Sequence, residues 1–236
     1  MAARDRGLVL TVAVAVVRPL LMLLTRREWK GAELLPAQGF ILAANHISHA
    51  DPLLLAHFVH DSGIPPRFLA KASVLDFPLI GRVLRSTGQI PVYRESAAAH
   101  DAYVAAVSAV RRGACIIIYP EGTLTRDAAL WPMTGKTGAA RIALTTGCPV
   151  MPVAQWGAQE ILPPDAHLPR LFPRRVSRVN VGPAVDLDDL RQRALTDQVL
   201  REGTERIMAA ITLLLEGLRD LRAPGMRDRR DEPEMC

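Results

Sequence analysis

The chain has 236 residues, 49% hydrophobic and 22% charged, a balance that builds a folded core and excludes a disordered polymer. A formal net charge of +5 favours an anionic partner, but with 5% aromatic residues and no zinc-finger or RNA-recognition motif, nucleic acid is not expected to be that partner. Cys115, Cys148 and Cys236 form no Cys-x-x-Cys pair, so buried, inert thiols in a reducing cytoplasm are expected, with neither disulfide nor zinc.

Taken in chain order, Leu8 to Thr25 is almost wholly apolar, flanked by Arg4 and Arg6 on one side and by Arg26, Arg27 and Lys30 on the other. Arg18-Pro19 interrupts it. A membrane span needs about 20 apolar residues, and a central arginine costs on the order of 2.5 to 3.5 kcal/mol on insertion scales. The segment is therefore expected to be a helix that lies in or dips into the cytoplasmic leaflet, with its basic flanks on anionic head groups. No small-residue cleavage site follows Val17, which argues against a signal peptide.

Beyond it, strand patterns at 39–44, 67–71, 89–93, 114–119, 149–154 and 176–181 alternate with helical stretches near 52–60, 73–86, 96–111 and 136–146. This order predicts an α/β fold, a mixed, largely parallel sheet covered by helices. Leu200, Ile207, Ile211, Leu214 and Leu218 recur at helical spacing in a last long helix, a packing stripe. The organisation predicted is a membrane-associating helix at 1–27, one domain at 28–221 and a flexible charged tail at 222–236.

Two turns carry the chemistry. Phe40 to Ala44 reads as a short buried strand, and Asp51-Pro52 before Leu53-Leu54-Leu55 reads as an N-cap, an N1 proline and an apolar helix. His46 and Asp51, with four residues between them, thus lie at the carboxyl end of a strand, where open α/β sheets bind ligands. An imidazole there can act as general base, with the carboxylate fixing its tautomer and stabilising the imidazolium. Taken alone, the same residues also suit an ordinary helix start preceded by a loop histidine. A second buried-strand pattern, Ala114 to Ile118, runs into Tyr119-Pro120-Glu121-Gly122-Thr123.

These blocks resemble the glycerolipid acyltransferases, which pair Asn-His-x-x-x-x-Asp (here Asn45 to Asp51) with Pro-Glu-Gly-Thr (here Pro120 to Thr123). Lys71, Pro78, Gly81 and Arg94 match the elements that the family places between them, and Val150 to Ala154 matches a later apolar block with proline. The family usually continues with arginine directly after Gly-Thr. This chain has Leu124 there, and its arginine, Arg126, comes two places later.

The resemblance implies acyl transfer from an acyl thioester (acyl-CoA or acyl-ACP) to the free hydroxyl of 1-acyl-sn-glycerol-3-phosphate, giving phosphatidic acid. His46 would be the general base and Asp51 its orienting carboxylate. Lys71, Arg94 and Arg126 would hold the phosphate, and Glu121, Gly122 and Thr123 would shape the acceptor site. Glu121 also suits a structural carboxylate, and Pro152 suits either an acyl-side wall or strand packing. The expected partners are a lysophospholipid acceptor, the thioester donor and an anionic membrane surface at the cytoplasmic face of the cell membrane, with no bound cofactor. Another lysophospholipid or glycolipid acceptor, or hydrolysis of the thioester, remains the alternative. Gly135-Lys136-Thr137 is no phosphate loop, since the glycine it requires is Leu130, and the other histidines lack zinc-enzyme spacing.

Overall fold

The computed structural model describes residues 3–71, 81, 87–92, 96–166 and 168–224. Helix α1 (Ala3–Leu24) leads directly into β1 (Thr25–Lys30), followed by β2 (Phe40–Ala44), α2 (Asp51–Asp61), β3 (Arg67–Lys71) and β4 (Ile90–Val92). Then come α3 (Ser96–Arg111), β5 (Cys115–Ile118), α4 (Gly138–Thr146), β6 (Val150–Trp156), the short α5 (Ala158–Ile161), β7 (Arg175–Val181), the short α6 (Asp188–Arg191) and α7 (Asp197–Arg219). The helix expected over 73–86 lies outside the described residues apart from Gly81, as do Arg94, Pro78 and the tail from 225 onward.

The strands form one sheet in the order β1-β7-β6-β2-β5-β3-β4. All neighbours run parallel except β6 and β7. β2 is wholly buried because both faces of the sheet are covered. Ile41 and Ala43 face the core under α3, α4 and α7, while Phe40, Leu42 and Ala44 face the one under α2. Such a strand reads as a continuous apolar run rather than an alternation, which is why the sequence marks it clearly. The stripe on α7 is packing, as expected: Leu200, Ile207 and Ile211 are buried, and Leu214 and Leu218 pack beside Trp131, Ala154 and Leu215. Cys115 and Cys148 are both buried, and burial pushes the Cys115 thiol up to about 12.

The amino-terminal region departs from the sequence reading. Residues 25 to 27, assigned above to the membrane-associating helix, belong to β1, which pairs with β7 from Thr25↔Arg175 to Lys30↔Asn180. β1 is an edge strand whose burial pattern is mostly exposed, so its polar sequence Thr-Arg-Arg-Glu-Trp-Lys carries little apolar signal. α1 remains helical through Pro19 and docks through Leu21 against Leu54 and Ala158. Arg18 donates to Asp61 of α2 from Nε at 2.7 Å and Nη2 at 3.1 Å. Among the described residues, no helix is long and apolar enough to cross a membrane.

Candidate active site

The two turns meet because their strands are neighbours. β2 pairs with β5 in register Ala43↔Ile118, so the residues after each strand emerge side by side at the carboxyl end of the sheet. β6 lies against the other flank of β2, with Ala44 opposite Val153. Asn45, fully buried, locks the turn to β6: its Nδ2 donates to the Gln155 carbonyl at 3.1 Å, and its Oδ1 accepts from the Gln155 amide at 2.7 Å.

His46 Nδ1 lies 2.9 Å from Asp51 Oδ2. The same oxygen accepts the amides of Ile47 at 2.6 Å and Ser48 at 2.8 Å. Asp51 is therefore not the helix N-cap expected from Asp-Pro. It is the first helical residue, and its carboxylate turns back into the preceding turn, because that turn offers two backbone N–H donors and an imidazole. Burial pushes the Asp51 carboxyl up from its ordinary range, against the pull of His46 and the two amides. With Nδ1 held by the carboxylate, Nε2 is the ring atom left to accept a proton. The imidazole stacks on Tyr119, centroids 4.2 Å apart and planes 19° from parallel.

The backbone of His46 is fixed on both sides. Its amide donates to Glu121 Oε1 at 3.1 Å, and its carbonyl accepts from the Thr125 amide at 2.8 Å. Glu121 Oε2 accepts from the Met133 amide at 3.0 Å, so one buried carboxylate clips the turn after β2 to the loop that follows β5. Burial raises this carboxyl to about 7. Glu121 thus bonds the neighbouring turn, the structural reading of this carboxylate, and it also lines a cavity of about 1020 Å³.

Gly122, Thr123 and Arg126 share that cavity wall, as do Lys136 and Arg141, and Leu69 of β3 and Val92 at the end of β4 line it. Gly122 adopts φ +70°, a left-handed conformation that suits glycine, and a Cβ there would lie 3.0 Å from Lys136 Cε and Nζ. Lys136, which the sequence reading considered only as a failed phosphate loop, therefore stands beside the Gly-Thr turn, and its amide donates to the Pro120 carbonyl at 2.8 Å. Its signal was the lysine itself on the loop leading into α4. Among the described residues, the side chains of Arg126, Lys136 and Arg141 make no ion pair. Arg178, Arg191, Arg193 and Arg206 all do.

The remaining candidates are less central. Lys71 ends β3 opposite Val92 of β4, which places its backbone at the cavity end of the sheet. Pro152 is buried within β6 opposite Ala43, and its carbonyl accepts the Gly182 amide, a strand-packing position. His49 is exposed, and His100 lines the cavity.

A sequence model described as Acyltransferase matches residues 26–156, more than half of the chain. A 1-acyl-sn-glycerol-3-phosphate acyltransferase of Borreliella burgdorferi is 37% identical over 127 residues, 52% of this chain and 48% of that protein. A chloroplastic 1-acyl-sn-glycerol-3-phosphate acyltransferase of Brassica napus is 31% identical over 141 residues, 58% of this chain and 39% of that protein. The matched region thus spans less than half the length of either relative. The crystal structure of a Thermotoga maritima 1-acyl-sn-glycerophosphate acyltransferase shares the fold, with a TM-score of 0.65 over 94% of this chain and 84% of that one at 22% identity. With the matched region running from β1 to the end of β6 and enclosing both turns, the chain belongs to the acyltransferase family.

Proposed function

We propose that the chain is an O-acyltransferase that moves a fatty acyl group from acyl-CoA or acyl-ACP to the free hydroxyl of 1-acyl-sn-glycerol-3-phosphate, giving phosphatidic acid. The observation that carries this reading is a His46–Asp51 pair joined at 2.9 Å and linked through Glu121 to a cavity whose wall holds cations that make no ion pair among the described residues. His46 Nε2 takes the acceptor's hydroxyl proton as the oxygen attacks the thioester carbonyl. Buried Asp51 stabilises the imidazolium that forms. Collapse of the tetrahedral intermediate expels the thiolate, which takes the proton from the imidazolium, so no acyl-enzyme is needed.

Arg126 and Lys136 hold the acceptor's phosphate, the arginine as a planar fork and the lysine as a point charge. Lys71 and Arg94 remain candidates for the same role. Arg126 takes over from the arginine that the family places directly after Gly-Thr. α1 seats the enzyme on an anionic membrane surface at the cytoplasmic face, and the acyl thioester is a co-substrate rather than a resident cofactor.

The test incubates purified full-length protein with an acyl thioester and a panel of lysolipids and identifies products by mass spectrometry. Acylated product from lysophosphatidic acid, formed faster than from acceptors lacking a phosphomonoester, supports the reading. Equal rates across the panel would replace it with a broader lysolipid acyltransferase, and free fatty acid without acylated lipid would make the chain a thioesterase.

A further inference from the structure

We infer that the loop from Leu162 to Arg174 is a second membrane-contacting element, which enters the head-group region of an anionic bilayer beside α1; this rests on the membrane seating proposed for α1. The loop carries Leu168 at 81% exposure and Phe172 at 77%, with Leu171 also exposed. Three large apolar side chains within five residues form a patch with no covering partner among the described residues. Such a patch on a folded domain marks an interaction surface.

The arginines around this patch select the partner. Within the loop, Arg170 and Arg174 flank the apolar tips, and its one acidic residue, Asp165, comes three positions before Leu168. Apolar tips set among arginines suit an interface with acyl chains below and phosphates above.

The loop is joined to α1. Arg174 Nη2 donates to the carbonyls of Met22 at 2.7 Å and Thr25 at 2.8 Å, groups that the end of a helix leaves unsatisfied. On α1, Leu21 is buried while Val16, Leu20 and Leu23 are exposed. At 3.6 residues per turn, those three fall within an arc of about 60° on the side away from Leu21. Phe172 stands two residues before the arginine that grips the end of this helix, which sets the loop's apolar residues near the carboxyl end of α1.

The loop also borders the turn after β2. Ser48, between His46 and Asp51, donates from Oγ to the Leu162 carbonyl at 2.6 Å, and the Arg170 amide donates to the Ile161 carbonyl at 2.6 Å. Loop insertion would therefore bring the turn after β2 close to the bilayer that supplies a lipid acceptor.

Full-length wild type and the variant L168S/F172S are compared by co-sedimentation with vesicles of phosphatidylcholine alone and with phosphatidylglycerol added. The wild type binds the anionic vesicles, and the variant's partition coefficient falls roughly ten-fold or more, the scale of two apolar side chains removed from an interface. R170A lowers partition about five-fold on anionic vesicles only. Turnover of a short-chain acceptor in detergent stays at the wild-type level. In a second measurement, F172W gains fluorescence quenching by brominated lipids over the wild-type background. Wild-type binding with L168S/F172S within about two-fold of it, and no added quenching of F172W, would overturn the inference and leave α1 as sole anchor. Failure of the wild type to bind any vesicle would overturn the anchor and the loop together. A change in oligomeric state without a change in partition would make the patch a contact between copies of this chain and overturn the bilayer assignment.

Discussion

The turn after β2 and the cavity wall after β5 stand side by side but are built in opposite ways. In the turn, Asn45 and Asp51 are fully buried, the His46 imidazole is held by a carboxylate, and its backbone is bonded on both sides. On the wall, Thr123 and Arg126 are exposed, and Arg126, Lys136 and Arg141 make no ion pair among the described residues. Proton transfer fails when atoms move by an ångström, whereas attraction between cations and a phosphate tolerates rearrangement. Damage to the turn is therefore expected in kcat, and damage to the wall in the KM of the acceptor.

The largest effect belongs to His46→Ala. Loss of the general base should lower turnover by roughly 100-fold to 10,000-fold while the thermal transition stays near that of the wild type. More than a tenth of wild-type turnover would falsify the base assignment. Asp51→Asn should come next, and it should differ in kind. An amide cannot stabilise the imidazolium, and where its NH2 meets the amides of Ile47 and Ser48 a buried donor loses its acceptor. Activity should fall by about 100-fold or more, and stability by about 1–3 kcal/mol. An inactive Asp51→Asn with unchanged denaturant midpoint would show that the carboxylate serves chemistry alone.

Smaller changes are expected on the wall. Lys136→Ala and Arg126→Ala should each raise the acceptor KM about ten-fold, with donor KM and kcat nearly constant, the pattern of lost uniform binding. Should kcat fall instead, the contrast between turn and wall would break, because a wall cation would then act in the transition state. A neutral Arg126→Ala beside a damaging Lys136→Ala would mean that the displaced arginine has not taken over the family's position.

The smallest effect tests the clip between the two regions. Glu121 has a folded pKa of about 7, raised by burial from an ordinary 4.5. Between these values the folded state binds more protons than the unfolded chain, so this group makes stability fall as pH rises from about 4.5 to about 7. Glu121→Gln should flatten that part of the stability curve, measured by chemical denaturation across the range. An unchanged slope would assign the pH dependence to other buried carboxyls, such as Asp51.

Much of the site was legible in the sequence because the two motifs follow apolar runs that can only be buried strands. Three features were not. β1 was missed because Thr25–Lys30 is a mostly exposed edge strand, and its pairing with β7 joins residues 150 positions apart in the chain. Asp51 was read as an N-cap because Asp-Pro starts many helices, but the donors waiting in its own preceding turn draw the carboxylate the other way. Lys136 matched no motif worth keeping, and only its closeness to the bare Cα of Gly122 gives it a place.

By itself, then, the sequence determined the α/β class and the two polar turns that hold the candidate site, since buried strands and their polar ends are local patterns of hydropathy and turn residues. The tertiary structure decided which groups share a space. Strand order in a parallel sheet arises from helix crossovers and packing on both faces rather than from any local signal, and it set β5 and β6 on either side of β2. That placement joins His46 to Glu121 and Glu121 to the cavity, while the pairing of β1 with β7 joins the Leu162–Arg174 loop to the end of α1.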